Sequence, residues 1–128
     1  MKKLVVEAVR HYAPGAESAT VTLRSERGVI DAFCWPCNLR IGDQVENHLS
    51  ALDASVRAAF LKDWPADKKA QSATERLEKL GAYAYRGVGH TLNRELGLIE
   101  ALGFCIEVEE VPVDGPVEFD FPRIDIRG

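Results

Sequence analysis

Asp67-Lys68-Lys69-Ala70-Gln71-Ser72-Ala73-Thr74-Glu75-Arg76-Leu77-Glu78-Lys79-Leu80 is the stretch of this chain in which helical spacing is clearest. Ala70, Ala73, Leu77 and Leu80 recur at intervals of three, four and three, which lays one narrow apolar stripe along a helix. Lys68, Lys69, Gln71, Glu75, Arg76, Glu78 and Lys79 fall mostly off that stripe. Pro65 precedes it, Asp67 can cap it, and Gly81 stands where a left-handed residue ends a helix at least cost. Glu75 and Lys79 form an i,i+4 pair in the favourable order. The spacing predicts a helix over 67–80. Its stripe is too thin and too rich in alanine to organise a bundle, so the helix is expected to plug or cover a sheet.

Outward from that helix the period falls to two. Leu4 to Tyr12 is rich in valine, with apolar residues on both parities, as in a strand that is well buried. Ala13-Pro14-Gly15 is turn chemistry. Thr20 to Arg24 alternates, with Val21 and Leu23 apolar, and Ser25-Glu26-Arg27-Gly28 is a second reversal. Val29 to Trp35 forms a third strand with Val29, Phe33 and Trp35 on one face, and Pro36 stops it. These three strands make a meander. Leu39 to Phe60 reads in two ways. Leu49, Leu52, Val56, Ala59 and Phe60 have helical spacings behind an Asn47 cap, whereas Val45–Leu49 and Val56–Leu61 read as two strands. The strand reading is preferred because a barrel needs another strand before its helix. After Gly81 the strands resume: Tyr83 to Val88, a turn at Asn93-Arg94-Glu95, then Leu96 to Ala101. Phe104, Ile106 and Val108 alternate with charged or small neighbours, and so do Val117, Phe119 and Phe121. Pro112-Val113-Asp114-Gly115-Pro116 is a reversal that would pair these last two runs.

Three or four strands, one helix and three or four more strands resemble a small antiparallel β-barrel of the OB type, whose helix plugs one end. The resemblance is to an architecture, mostly β within the α+β class, and rests on element order. An open antiparallel sheet with a helix on one face is the competing arrangement. The length of 128 residues suits one domain spanning 1–128.

Composition narrows the setting. Hydrophobic residues make up 46% and charged residues 28%, the balance of a globular chain and not of a disordered one. Leu4-Val5-Val6 is too short for a secretory core before Glu7 interrupts it, and no apolar run is long enough for a membrane span. Three cysteines are too few for a disulfide scaffold. A cytoplasmic protein with no membrane association is the expectation. A net charge of −4 argues against gripping a polyanion with the whole surface.

Cys34-Trp35-Pro36-Cys37 is the most pointed motif. Such a pair can cycle to a disulfide or donate two ligands to zinc. Thioredoxin-like chemistry needs the first cysteine at a helix N-terminus, and Asn38-Leu39-Arg40-Ile41-Gly42-Asp43 does not continue as a helix. Zinc needs two further ligands, for which Cys105 and one of His11, His48 or His90 are the candidates, without a second C-x-x-C or paired histidines. Two semi-buried thiols, with Trp35 packed on the barrel, is the plainer reading. Gly87-Val88-Gly89-His90 lacks the third glycine of a dinucleotide fingerprint, since position 92 is Leu92. Close backbone approach within a strand explains it better. No catalytic set assembles from spacing alone, and no cofactor is implied.

Charge is distributed unevenly. Residues 82–128 carry four basic residues, Arg86, Arg94, Arg123 and Arg127, against nine acidic ones. If the last two runs pair across Asp114-Gly115, Glu107, Glu109, Glu118 and Asp120 share an outer face. Such crowding suits solvent, a cation or a basic protein segment. The expected function is therefore a non-enzymatic interaction module that binds another macromolecule, a protein first, through barrel loops or this acidic face. A single-stranded nucleic-acid binder is the alternative, with Phe33, Trp35, Tyr83 and Tyr85 as stacking platforms beside Arg24, Arg40 and Arg86. A thiol–disulfide protein using Cys34 and Cys37 is the third reading. The oligomeric state is left open by a possible edge strand near Pro122.

Overall fold

Alternation of apolar and polar residues dictates most of what forms. The computed structural model describes residues 2–126. The strands are β1 (Leu4–His11), β2 (Ala19–Arg24), β3 (Val29–Cys34), β4 (Gln44–Val45), β5 (Leu49–Leu52), β6 (Ser55–Ala58), β7 (Arg76–Lys79), β8 (Tyr85–Asn93), β9 (Leu98–Ala101), β10 (Phe104–Glu107), β11 (Pro116–Phe121) and β12 (Arg123–Ile126), with one helix, α1 (Ala66–Ser72), before β7. Strand accounts for 49% of the chain and helix for 6%, so the mostly-β expectation holds. The strands join in one sheet ordered β4-β1-β2-β3-β12-β5-β10-β9-β8-β11-β6, with β7 beside β8, and the sheet does not close.

The N-terminal meander forms as expected, β1 pairing with β2 and β2 with β3. A bulge between Val6 and Ala8 explains why β1 is apolar on both parities. Val6 lies opposite Leu23, but the extra residue brings Val9 opposite Val21, so Leu4, Val6 and Val9 all turn inward. On β3 the core takes Ile30, Ala32 and Cys34, while the parity of Val29, Phe33 and Trp35 faces outward. Trp35 is 63% exposed and does not pack on the sheet as its sequence context suggests.

The 39–60 region is strand and not helix, as preferred, but it forms three short strands, β4, β5 and β6, in place of the two expected over Val45–Leu49 and Val56–Leu61. Asn47 caps no helix there. Its Nδ2 donates to the Gly103 carbonyl (2.7 Å) and its Oδ1 accepts from the Cys105 backbone N–H (2.9 Å), which ties the β4–β5 loop to β10.

The helix is half the expected length. It ends at Ser72, none of its residues is buried, and Arg76–Lys79 instead pair antiparallel with Tyr85–Val88 of β8. An alanine stripe buries too little area to hold a lone helix against solvent, whereas the same residues as a strand satisfy an open edge of β8 and turn Leu77 toward the core. The pair expected between Glu75 and Lys79 is accordingly absent. Glu75 meets Arg27 (2.6 Å) and Lys79 meets Asp31.

Two pairings depart from a purely antiparallel scheme: β12 runs parallel to β3 and β5 parallel to β10. The 112–116 reversal does not make a hairpin. It delivers β11 between β8 and β6, so β10 and β11 are not neighbours. Thr91 holds that connection in place by donating its N–H to the Gly115 carbonyl (3.0 Å) and its hydroxyl to the Val113 carbonyl (2.7 Å). Phe104, Phe119, Phe121, Leu49, Ile99 and Ile124 are fully buried at the centre.

Gly87 and Gly89 are sites of close backbone approach, as their sequence suggests. A Cβ at Gly87 would fall on the Arg76 carbonyl of β7, and one at Gly89 on the Glu100 carbonyl of β9. Gly89→Ala is expected to destabilise the protein by about 1–3 kcal/mol, read as a lower urea midpoint at unchanged slope. Gly81→Ala, whose Cβ meets only Ala84 at 3.4 Å, is expected to cost less than about 0.5 kcal/mol.

Candidate binding cleft

Four strands set one outward row of side chains. Phe33 of β3 lies beside Asp125 of β12, Asp125 beside Ser50 of β5, and Ser50 beside Glu107 of β10. Each alternates with a core residue, so the ladder that buries Cys34, Ala51 and Ile106 necessarily presents this row on the opposite face. Trp35, just past β3, and Val45, Glu46 and His48, around the β4–β5 loop, rise beside it. Together with Arg123 and Ile126 they enclose a cleft of about 610 Å³.

Phe33 is the fixed point of the cleft. Tyr12 and Tyr83 meet it edge-on, with ring centroids at 6.0 and 5.7 Å. The two tyrosine hydroxyls hydrogen-bond to each other, and Tyr83 also bonds the Thr20 hydroxyl at 2.6 Å. The bond to Tyr83 raises the Tyr12 pKa above its ordinary value. The Arg123 guanidinium sits over the Phe33 ring at 4.2 Å. Asp125 grips the same guanidinium with both oxygens, at 2.7 and 3.1 Å, and raises its pKa further. Beyond this seat, His48 Nε2 lies 2.8 Å from Glu107.

The residues singled out by sequence divide into several groups. Phe33 and Trp35 line the cleft, and Tyr83 braces it from behind. Tyr85 does not belong to this surface. It is buried, its hydroxyl accepts the Asp31 backbone N–H at 2.9 Å, and burial raises its pKa. Arg24 pairs with Glu7 (2.9 Å), Arg86 grips Glu78 (2.9 Å), and Arg40 donates its backbone N–H to Asp43 (2.8 Å). None of the three lines the cleft.

The four carboxylates are likewise dispersed. Glu118 and Asp120 share a face of β11, and Arg57 of β6 bonds both, at 3.0 Å to Asp120. Glu107 faces His48, and Glu109 is exposed beyond the end of β10. Arg57→Ala is expected to lower stability by about 0.5–1 kcal/mol, a difference that fades in molar salt, as urea melts at two ionic strengths will show.

Cys34 and Cys37 are both buried free cysteines, the Cys34 thiol hydrogen-bonded with that of Cys37. Burial first, then that bond and nearby Asp125, push the Cys34 thiol up to about 12. A thiol held protonated is a poor nucleophile, the reverse of what disulfide exchange requires. Cys105 is buried on β10, and burial raises its pKa too. Among the described residues no three His, Cys, Asp or Glu side chains come together to hold a metal.

Sequence reasoning missed Arg123, Asp125, Glu46 and Ser50 as cleft residues, and named His48 only as a candidate zinc ligand. The available signal was the alternation Arg123-Ile124-Asp125-Ile126, which puts a cation and an anion on one outward face. Comparisons with protein-family models, curated proteins and solved structures give no match to this chain.

The raised Cys34 pKa has a thermodynamic consequence. Above the ordinary thiol value of 9.0 the unfolded chain loses this proton while the folded one keeps it until about 12. Stability from this group is thus complete below about pH 9 and declines as pH rises through that window. Cys34→Ala is expected to make the alkaline decline shallower in urea midpoints measured from pH 8 upward, with the slope left by Cys105 and Tyr85 remaining.

Proposed function

We propose that this chain is a non-enzymatic interaction module that recognises a protein segment in the cleft on the outer face of β3, β12 and β5. The observation that carries this reading is a tryptophan with 63% exposure lining a cleft of about 610 Å³ together with a braced phenylalanine. An exposed indole gains little where it stands. It gains area and specificity when a partner covers it. Phe33 is clamped by three neighbours, so little side-chain entropy is lost when a ligand reaches it.

The cleft supports a peptide better than a nucleic acid. Its lining holds two carboxylates, Glu46 and Asp125, against one guanidinium that Asp125 already neutralises. Single-strand binding needs aromatics beside free cations along a groove. The OB-type label belongs to this proposal as well. Across the open seam, the Asp31 N–H bonds to Tyr85 and Lys79 pairs with Asp31, which curls the sheet toward a barrel without a continuous ladder. A cytoplasmic setting belongs to the same proposal, since three cysteines in 128 residues are too few for a disulfide scaffold.

Dodecapeptides selected from a random display library against the whole chain test this assignment. Bound to the labelled protein, they are expected to shift the amide resonances of 33–35, 45–50 and 123–126. Trp35→Ala is expected to weaken binding at least about tenfold while leaving the urea midpoint unchanged. Peptides that bind elsewhere, or oligothymidylate binding at these residues, would contradict it.

A further inference from the structure

The fold already contains a guanidinium bound at this surface. Arg123 lies on the Phe33 ring at 4.2 Å and is held bidentate by Asp125. Ring face and carboxylate are the two halves of an arginine site, and here the chain fills it itself. The same two elements recur in the lining of the same cleft, without a cation between them among the described residues. Trp35 presents an exposed ring, and the exposed Glu46 carboxylate has no ion-pair partner among the described residues. Arg123, with its charge satisfied by Asp125, adds no net repulsion against a second cation.

Resting on the cleft being a peptide site, we propose that it selects an arginine or lysine side chain of a basic segment, which stacks on Trp35 and pairs with Glu46. An acidic or neutral segment would leave Glu46 without a counter-charge beside the apolar ring. A phosphate-bearing ligand would meet the Glu46 carboxylate head-on.

The probe is a glycine-flanked arginine pentapeptide, acetylated and amidated so that its termini carry no charge. It is titrated into the full chain while the Trp35 indole N–H resonance is followed. Its isosteric citrulline counterpart keeps the shape and removes the charge. Saturable binding is expected with arginine and a loss of about tenfold or more with citrulline. Glu46→Gln is expected to weaken arginine binding about tenfold. Glu109→Gln, which changes net charge equally at a site outside the cleft, is expected to change it less than about twofold.

Equal binding of the arginine and citrulline peptides, equal effects of the two glutamine variants, or no shift of Trp35 with the arginine probe would each overturn the cation assignment. The display selection separates this failure from failure of the broader reading. Neutral or acidic library peptides that still shift residues 33–35 and 45–50 would keep the cleft as a peptide site and remove only its preference for a cation.

Discussion

The last strand holds the sheet together. In the strand order, β12 stands between β3 and β5, so the ladder joining the N-terminal meander to the remaining strands passes through Arg123–Ile126. Ile124 and Ile126 enter the core on one side, each contributing about 1.5–3 kcal/mol of burial. Arg123 and Asp125 necessarily emerge on the other. The same four residues therefore weld two parts of the fold and supply the charged floor of the cleft.

That double role explains the arrangement around it. Phe33 and Ser50 reach the cleft because they are the register partners of Asp125 on either side. Arg123 reaches Phe33 because it lies two residues before Asp125 on the same face. Tyr12, Tyr83 and Thr20 then fix the ring from the meander side through a chain of hydroxyls. The cleft is built on strands more than on loops, which favours a precise and preorganised surface.

Strand content was legible wherever alternation was clean, as in Thr20–Arg24, Phe104–Ile106 and Val117–Phe121. The helix failed beyond Ser72 because a period of three and four, written largely in alanine, carries too little burial to outweigh a strand edge waiting on β8. Long-range pairing was not legible. The Asp114-Gly115 turn looks like a hairpin locally, yet β11 finds β8 and β6, and no local feature reports that choice. The acidic face expected from hairpin pairing disappears for the same reason. For the cleft, the aromatic half was visible in Phe33, Trp35 and Tyr83. The charged half depended on a parallel pairing between residues more than ninety positions apart, Phe33 and Asp125.

Backbone cross-strand nuclear Overhauser contacts test the central role of β12 most directly. The account predicts that one sample shows Ile124 in antiparallel contact with Ala51 and Asp125 in parallel contact with Phe33, with the β12 amides slow to exchange with solvent. Contacts to one neighbour alone, or fast exchange throughout Arg123–Ile126, would contradict it.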